Sequence, residues 1–84
     1  MADVGLTPEA LEQYGKLPRG IQPRIANIIL RLGKWPSVSG AKPLVGKLAG
    51  SYRIRTGDYR IVFRVAGGKV IVWRMGDRKD VYFD

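Results

Sequence analysis

Apolar positions change their period near the middle of the chain. In the first half, Leu11 and Tyr14, then Ile21, Ile25, Ile28, Ile29 and Leu32, recur at helical spacing. Thr7-Pro8-Glu9-Ala10 reads as a helix start: Thr7 can cap, Pro8 fits the first helical position and Glu9 complements the helix dipole. Gly15 to Pro18 interrupts the pattern. A second helix is expected to begin near Gly20 to Pro23 and to stop at Gly33, with Pro36 beyond it. The prediction is a helical hairpin over about residues 7–33 whose apolar stripes are core.

In the second half the period falls to two. Tyr52-Arg53-Ile54-Arg55-Thr56-Gly57-Asp58-Tyr59-Arg60-Ile61-Val62-Phe63 alternates apolar and basic residues around Gly57-Asp58, which predicts a β-hairpin closed by a type II′ turn with glycine first. Thr56 then faces Tyr59, Arg55 faces Arg60, Ile54 faces Ile61 and Tyr52 faces Phe63, so apolar residues meet on one side. Gly67-Gly68 predicts a type I′ turn into a third strand from Lys69 to about Met75, ended by Gly76. Val65 then faces Val70, and Phe63 faces Val72. Asp80 to Phe83 forms a short tail. Residues 34–50 read as a loop, with Leu44, Val45 and Leu48 tucked onto the core. Residues 1–6 offer a short edge strand, against which Gly5 weighs. The fold class is α+β: one domain over residues 1–84, with the helical hairpin packed on one face of a small curved antiparallel sheet (about residues 51–83).

Two helices can cover only one face of such a sheet. The open face is expected to carry Arg53, Arg55, Arg60 and Arg64, with Val62, Ile71 and Trp73 among them. Strict alternation puts Arg74 on the core side, so either it lies at the sheet's edge or the register changes there. Arg53 and Arg55 lie two apart on one strand, hence ~7 Å apart on one face, near the spacing of successive phosphates in a nucleic-acid strand. Trp73 beside these cations suits stacking on an unpaired base; packing against a partner protein is the alternative.

Composition sharpens this picture. The formal charge is +8, from 15 basic and 7 acidic residues, which favours an anionic partner. Arginine predominates among the cations after residue 52, and its planar fork suits phosphate. With no histidine and no cysteine, acid–base chemistry falls to Tyr, Lys, Arg, Asp or Glu, and a thiolate nucleophile, a disulfide and a His-based metal site are excluded. The scattered carboxylates show no metal-ligand spacing, so no cofactor is expected. No apolar run approaches the ~18 residues of a membrane span. The short acidic N-terminus is unlike a signal peptide, so a cytoplasmic protein is expected.

The stretch from Leu48 to Tyr82 resembles the RelE/ParE toxin superfamily. The resembling pieces are Tyr52-Arg53-Ile54-Arg55, Gly57 to Phe63, Lys69-Val70-Ile71-Val72 and Arg78-Lys79-Asp80-Val81-Tyr82. The resemblance implies two helices on a curved sheet and a toxin–antitoxin setting. Expected partners are a cognate antitoxin, in a homo- or hetero-oligomer, and the ribosome with its messenger RNA. In the RelE branch the ribose 2′-oxygen attacks the adjacent phosphate, leaving a cyclic phosphate and a free 5′-hydroxyl. By resemblance, Arg60, Arg78 and Tyr82 carry the catalysis. Arg53 and Arg55 hold RNA, and the remaining RNA contacts expected on this surface are Arg64, Trp73 and Lys79.

Many relatives have a histidine where this chain has Asp77. Tyr82 can carry a proton instead; Asp77 and Asp80 can act as base or pair with Arg78 or Lys79. Two other readings stay open: a ParE-like inhibitor of DNA gyrase that binds without cutting, and a nucleic-acid-binding module with no enzymatic role.

Overall fold

Local chemistry sets the first helix as expected. In the computed structural model, which describes residues 2–77, the Thr7 hydroxyl accepts a hydrogen bond from the Ala10 N–H at 3.1 Å, capping α1 (Pro8–Gly15). Helix α2 (Gln22–Leu32) follows. The Tyr14 hydroxyl donates to the Gln22 carbonyl at 3.2 Å, and the Gln22 side-chain amide donates to the Tyr14 carbonyl at 3.1 Å. This reciprocal pair fixes the hairpin angle. Gly33 does end α2, but in a right-handed conformation with φ −61°. An added Cβ there would lie 3.3 Å from the Leu30 carbonyl oxygen, and the Ala2 N–H donates to the Gly33 carbonyl at 2.9 Å.

That strand, β1 (Asp3–Leu6), pairs in parallel with β5 (Lys69–Asp77). The predicted loop also holds a two-residue strand, β2 (Lys42–Pro43), and a 3-10 turn at Gly46–Leu48. With β3 (Ser51–Thr56) and β4 (Tyr59–Ala66), the sheet runs β1-β5-β4-β3-β2. The sheet is therefore mixed, because its N-terminal edge strand is parallel. The long helical connection makes that direction possible.

Both hairpins adopt the expected register, from Thr56 opposite Tyr59 to Tyr52 opposite Phe63, and Val65 opposite Val70. Gly57 has φ 60°, as a type II′ turn requires, and among the described residues no non-glycine residue has positive φ; Gly67 and Gly68, at 55° and 78°, suit type I′. The register then shifts between Val62 and Phe63: Phe63 faces Val72 but Val62 faces Arg74. Trp73 is the extra residue of a β-bulge. Beyond it the faces exchange. Met75 is 1% exposed in the core, and Arg74 joins the open face, correcting its expected place on the core side. The strand also continues through Gly76 to Asp77.

The core lies between the helices and the sheet. Ile25, Ile28 and Leu32 of α2 and Ala10 of α1 pack on Ile54, Ile61, Phe63, Val70, Val72 and Met75. Trp35 closes one end, with its ring centroid 4.7 Å from Tyr52 and 5.3 Å from Phe63. The Gln13 side chain accepts from the Met75 N–H at 2.9 Å, satisfying a donor of β5 beyond the end of β1. Val45 does not tuck in; it is 84% exposed. Leu44 and Leu48 are half-buried outside the core cluster. Leu11, on the helical pattern, also faces solvent.

Candidate functional site

The helix-free face is built row by row across the ladder. One row runs Lys42, Arg53, Val62, Arg74; the next runs Arg55, Arg60, Gly76; a third, on the other side of the first, runs Ser51, Arg64, Ile71. Successive rows are two residues apart along β3 and β4, hence ~7 Å. The helices lie on the opposite face, so the predicted open basic surface forms. It brings Arg53, Arg55, Arg60, Arg64 and Trp73 together as expected. Arg78, Lys79 and Tyr82 lie outside the described residues.

Three features go beyond the sequence reading. Arg74 joins the arginines through the bulge, and Lys42 extends their row onto the edge strand. Alternation concealed Arg74; the only signal was the mismatch between a charged side chain and the core side it was assigned. Val62 is 1% exposed although it lies on this face, with Arg53 and Arg74 as its ladder neighbours. Long arginine stems suit the shielding of such a residue. Third, Lys47 and Leu48 of the 3-10 turn border a cavity on this face that Trp73 and Arg64 also line.

The electrostatics favour an anion. Arg55 stands directly opposite Arg60, a like-charge cross-strand pair that concentrates positive charge on this face. Asp77 is placed elsewhere. It faces Tyr59 in the ladder and lines a cleft with Gln13, Lys16 and Leu17. That cleft is on the helix side of the sheet, opposite the arginines. Among the described residues, no group of His, Cys, Asp and Glu can hold a metal ion, and no helix is long and apolar enough to cross a membrane.

Comparison with known proteins places these residues in context. A family profile, the ParE toxin of the type II toxin–antitoxin system parDE, matches residues 4–82. Among solved structures, the toxin–antitoxin complex RelBE2 from Mycobacterium tuberculosis contains a chain similar to this one, with TM-score 0.81 and 29% identity over 92% of this chain and 98% of that chain. The RelB–RelE antitoxin–toxin complex from Methanococcus jannaschii gives TM-score 0.74 and 26% identity over 92% and 93%. The isolated RelE toxin of E. coli shares the fold, with TM-score 0.76 and 18% identity over 92% and 84%. A search of curated proteins finds no match.

Proposed function

The chain belongs to the ParE toxin family of type II toxin–antitoxin systems, and from that premise we propose that it is a ribosome-dependent endoribonuclease that cleaves messenger RNA. The observation that carries this reading is the set of Arg53, Arg55, Arg60 and Arg74 on one helix-free face of a rigid sheet, in rows near phosphate spacing.

In the proposed reaction the ribose 2′-oxygen attacks the adjacent phosphate in line. The bond to the 5′-oxygen breaks, leaving a 2′,3′-cyclic phosphate and a 5′-hydroxyl. Negative charge grows on the non-bridging oxygens, where Arg60 and Arg78 stabilise it. Arg53, Arg55 and Arg74 hold the flanking backbone, and part of the rate comes from that alignment. Arginine stays protonated and is a poor base. Tyr82 is assigned the proton transfers, since Asp77 lies on the helix side of the sheet. A well-placed acid–base group contributes ~10²–10⁴-fold, so alignment by the ribosome carries much of the remainder.

A cognate antitoxin is the expected partner, and the M. tuberculosis and M. jannaschii neighbours come from toxin–antitoxin complexes. An acidic segment laid on the arginine rows would silence them by charge complementarity.

The test is primer extension on a defined messenger RNA bound to ribosomes. The expected result is cleavage within the A-site codon, lost in Arg60→Ala and Arg78→Ala while both variants stay folded. Undiminished cleavage by both variants would overturn the site. A second reading, inhibition of DNA gyrase by binding alone, is favoured by the ParE family match and by Asp77 lying on the helix side of the sheet. Intact RNA together with blocked supercoiling by purified gyrase would establish that reading instead.

A further inference from the structure

The cavity on the arginine face encloses about 400 Å³, within the ~300–1,000 Å³ typical of small-ligand sites, and the cleavage chemistry does not use it. Lys47, Leu48, Ser51, Arg64, Ile71 and Trp73 line it. Its parts come from different elements. The 3-10 turn brings Lys47 and Leu48, one ladder row brings Ser51, Arg64 and Ile71, and the bulge turns Trp73 toward them. The walls are apolar at Leu48, Ile71 and Trp73, and both cations at the mouth, Lys47 and Arg64, are exposed. Ser51 is only 3% exposed and belongs to the lining. A hydroxyl both donates and accepts, so it can meet the polar edge of a ligand.

We propose that this cavity binds one unpaired nucleotide of the RNA strand, with its base against Trp73, its edge at Ser51 and its phosphate between Lys47 and Arg64. The proposal rests on the reading above in taking RNA as the polymer. Geometry favours a strand over a free nucleotide. The cavity's row lies two residues from the Arg53–Arg74 row, which lies two from Arg55–Arg60. A backbone tracking these rows at ~7 Å per step delivers its next nucleotide to the cavity. An aromatic wall between cations is the usual recipe for single-strand binding, in which stacking tolerates any base. The Ser51 hydroxyl adds the means to prefer one base edge over another.

The test uses a labelled 2′-O-methyl oligoribonucleotide, which cannot supply the attacking 2′-oxygen, and reads affinity by anisotropy. Trp73→Ala is expected to weaken binding about 5- to 150-fold, while Trp73→Phe retains most of the affinity. An abasic site walked along the oligonucleotide should reproduce that loss at one position in the native protein and add nothing further in Trp73→Ala. Lys47→Gln should lower the slope of log K against log salt by about 0.7. Trp35, packed on Tyr52 and Phe63, reports by fluorescence that each variant is folded. Additive losses, native affinity in folded Trp73→Ala, or no affinity of the native protein for the oligonucleotide would overturn the proposal. The two readings separate cleanly. Coupling without ribosomal cleavage leaves the pocket and removes the nuclease; cleavage with additive losses does the reverse.

Discussion

At the scale of single residues, the open face sets like charges side by side. Arg55 faces Arg60 across the ladder, and like charges so placed are destabilising. Arg55→Thr removes the repulsion and adds a good strand former. The expected outcome is a gain of about 0.2–1 kcal/mol in urea unfolding, with weaker binding of single-stranded RNA. A variant both less stable and equally good at binding would mean that the pair is not held for an anion. Arg53, Arg55, Arg60 and Arg64 were all legible in the sequence, because strand alternation assigns a face to every residue as soon as one turn is known. Arg74 was not, because its face depends on a break in that alternation.

At the scale of elements, the bulge at Trp73 is the decisive device. It places Val72 and Met75 in the core, both at most 1% exposed, with two residues between them. Deleting Trp73 should therefore be tolerated: Arg74 still faces Val62, Met75 still faces Ile61, and the ladder becomes regular. Deleting Ile71 should not be, because a one-residue slip on that side sends core residues to the open face. Circular dichroism melts of the two deletions check this. A cooperative transition is expected for the first and its loss for the second. The helices and turns were readable for the opposite reason: Thr7 caps through a contact three residues away, and Gly57, Gly67 and Gly68 answer to local backbone sterics. Strands β1 and β2 escaped a firm reading because four and two residues carry almost no periodic signal; partners far along the chain create them.

At the scale of the whole molecule, helices on one side of the sheet leave the arginines on the other, and the +8 charge gives the field long reach. Binding to single-stranded RNA should fall steeply with salt. Four phosphates neutralised by Arg53, Arg55, Arg60 and Arg74 imply a slope of log K against log salt of roughly −3, or about a fifty-fold loss between 50 and 200 mM. A filter-binding series measures it, and a flat response would mean that the arginine face is not the binding surface.

The order of helices and strands, both hairpin registers and the existence of a basic sheet face follow from residues close together in the chain, through caps, turns and alternation. Tertiary structure alone decided the rest. The bulge is selected because Met75 must be buried while Arg74 must reach water, a choice that exists only once the helices cover one face. The parallel edge strand, the loop strand that puts Lys42 in the arginine row, and the cavity joining Lys47, Ser51, Arg64 and Trp73 all unite residues distant in sequence. No local preference encodes such neighbours; they meet because burying one shared core fixes where every element must lie.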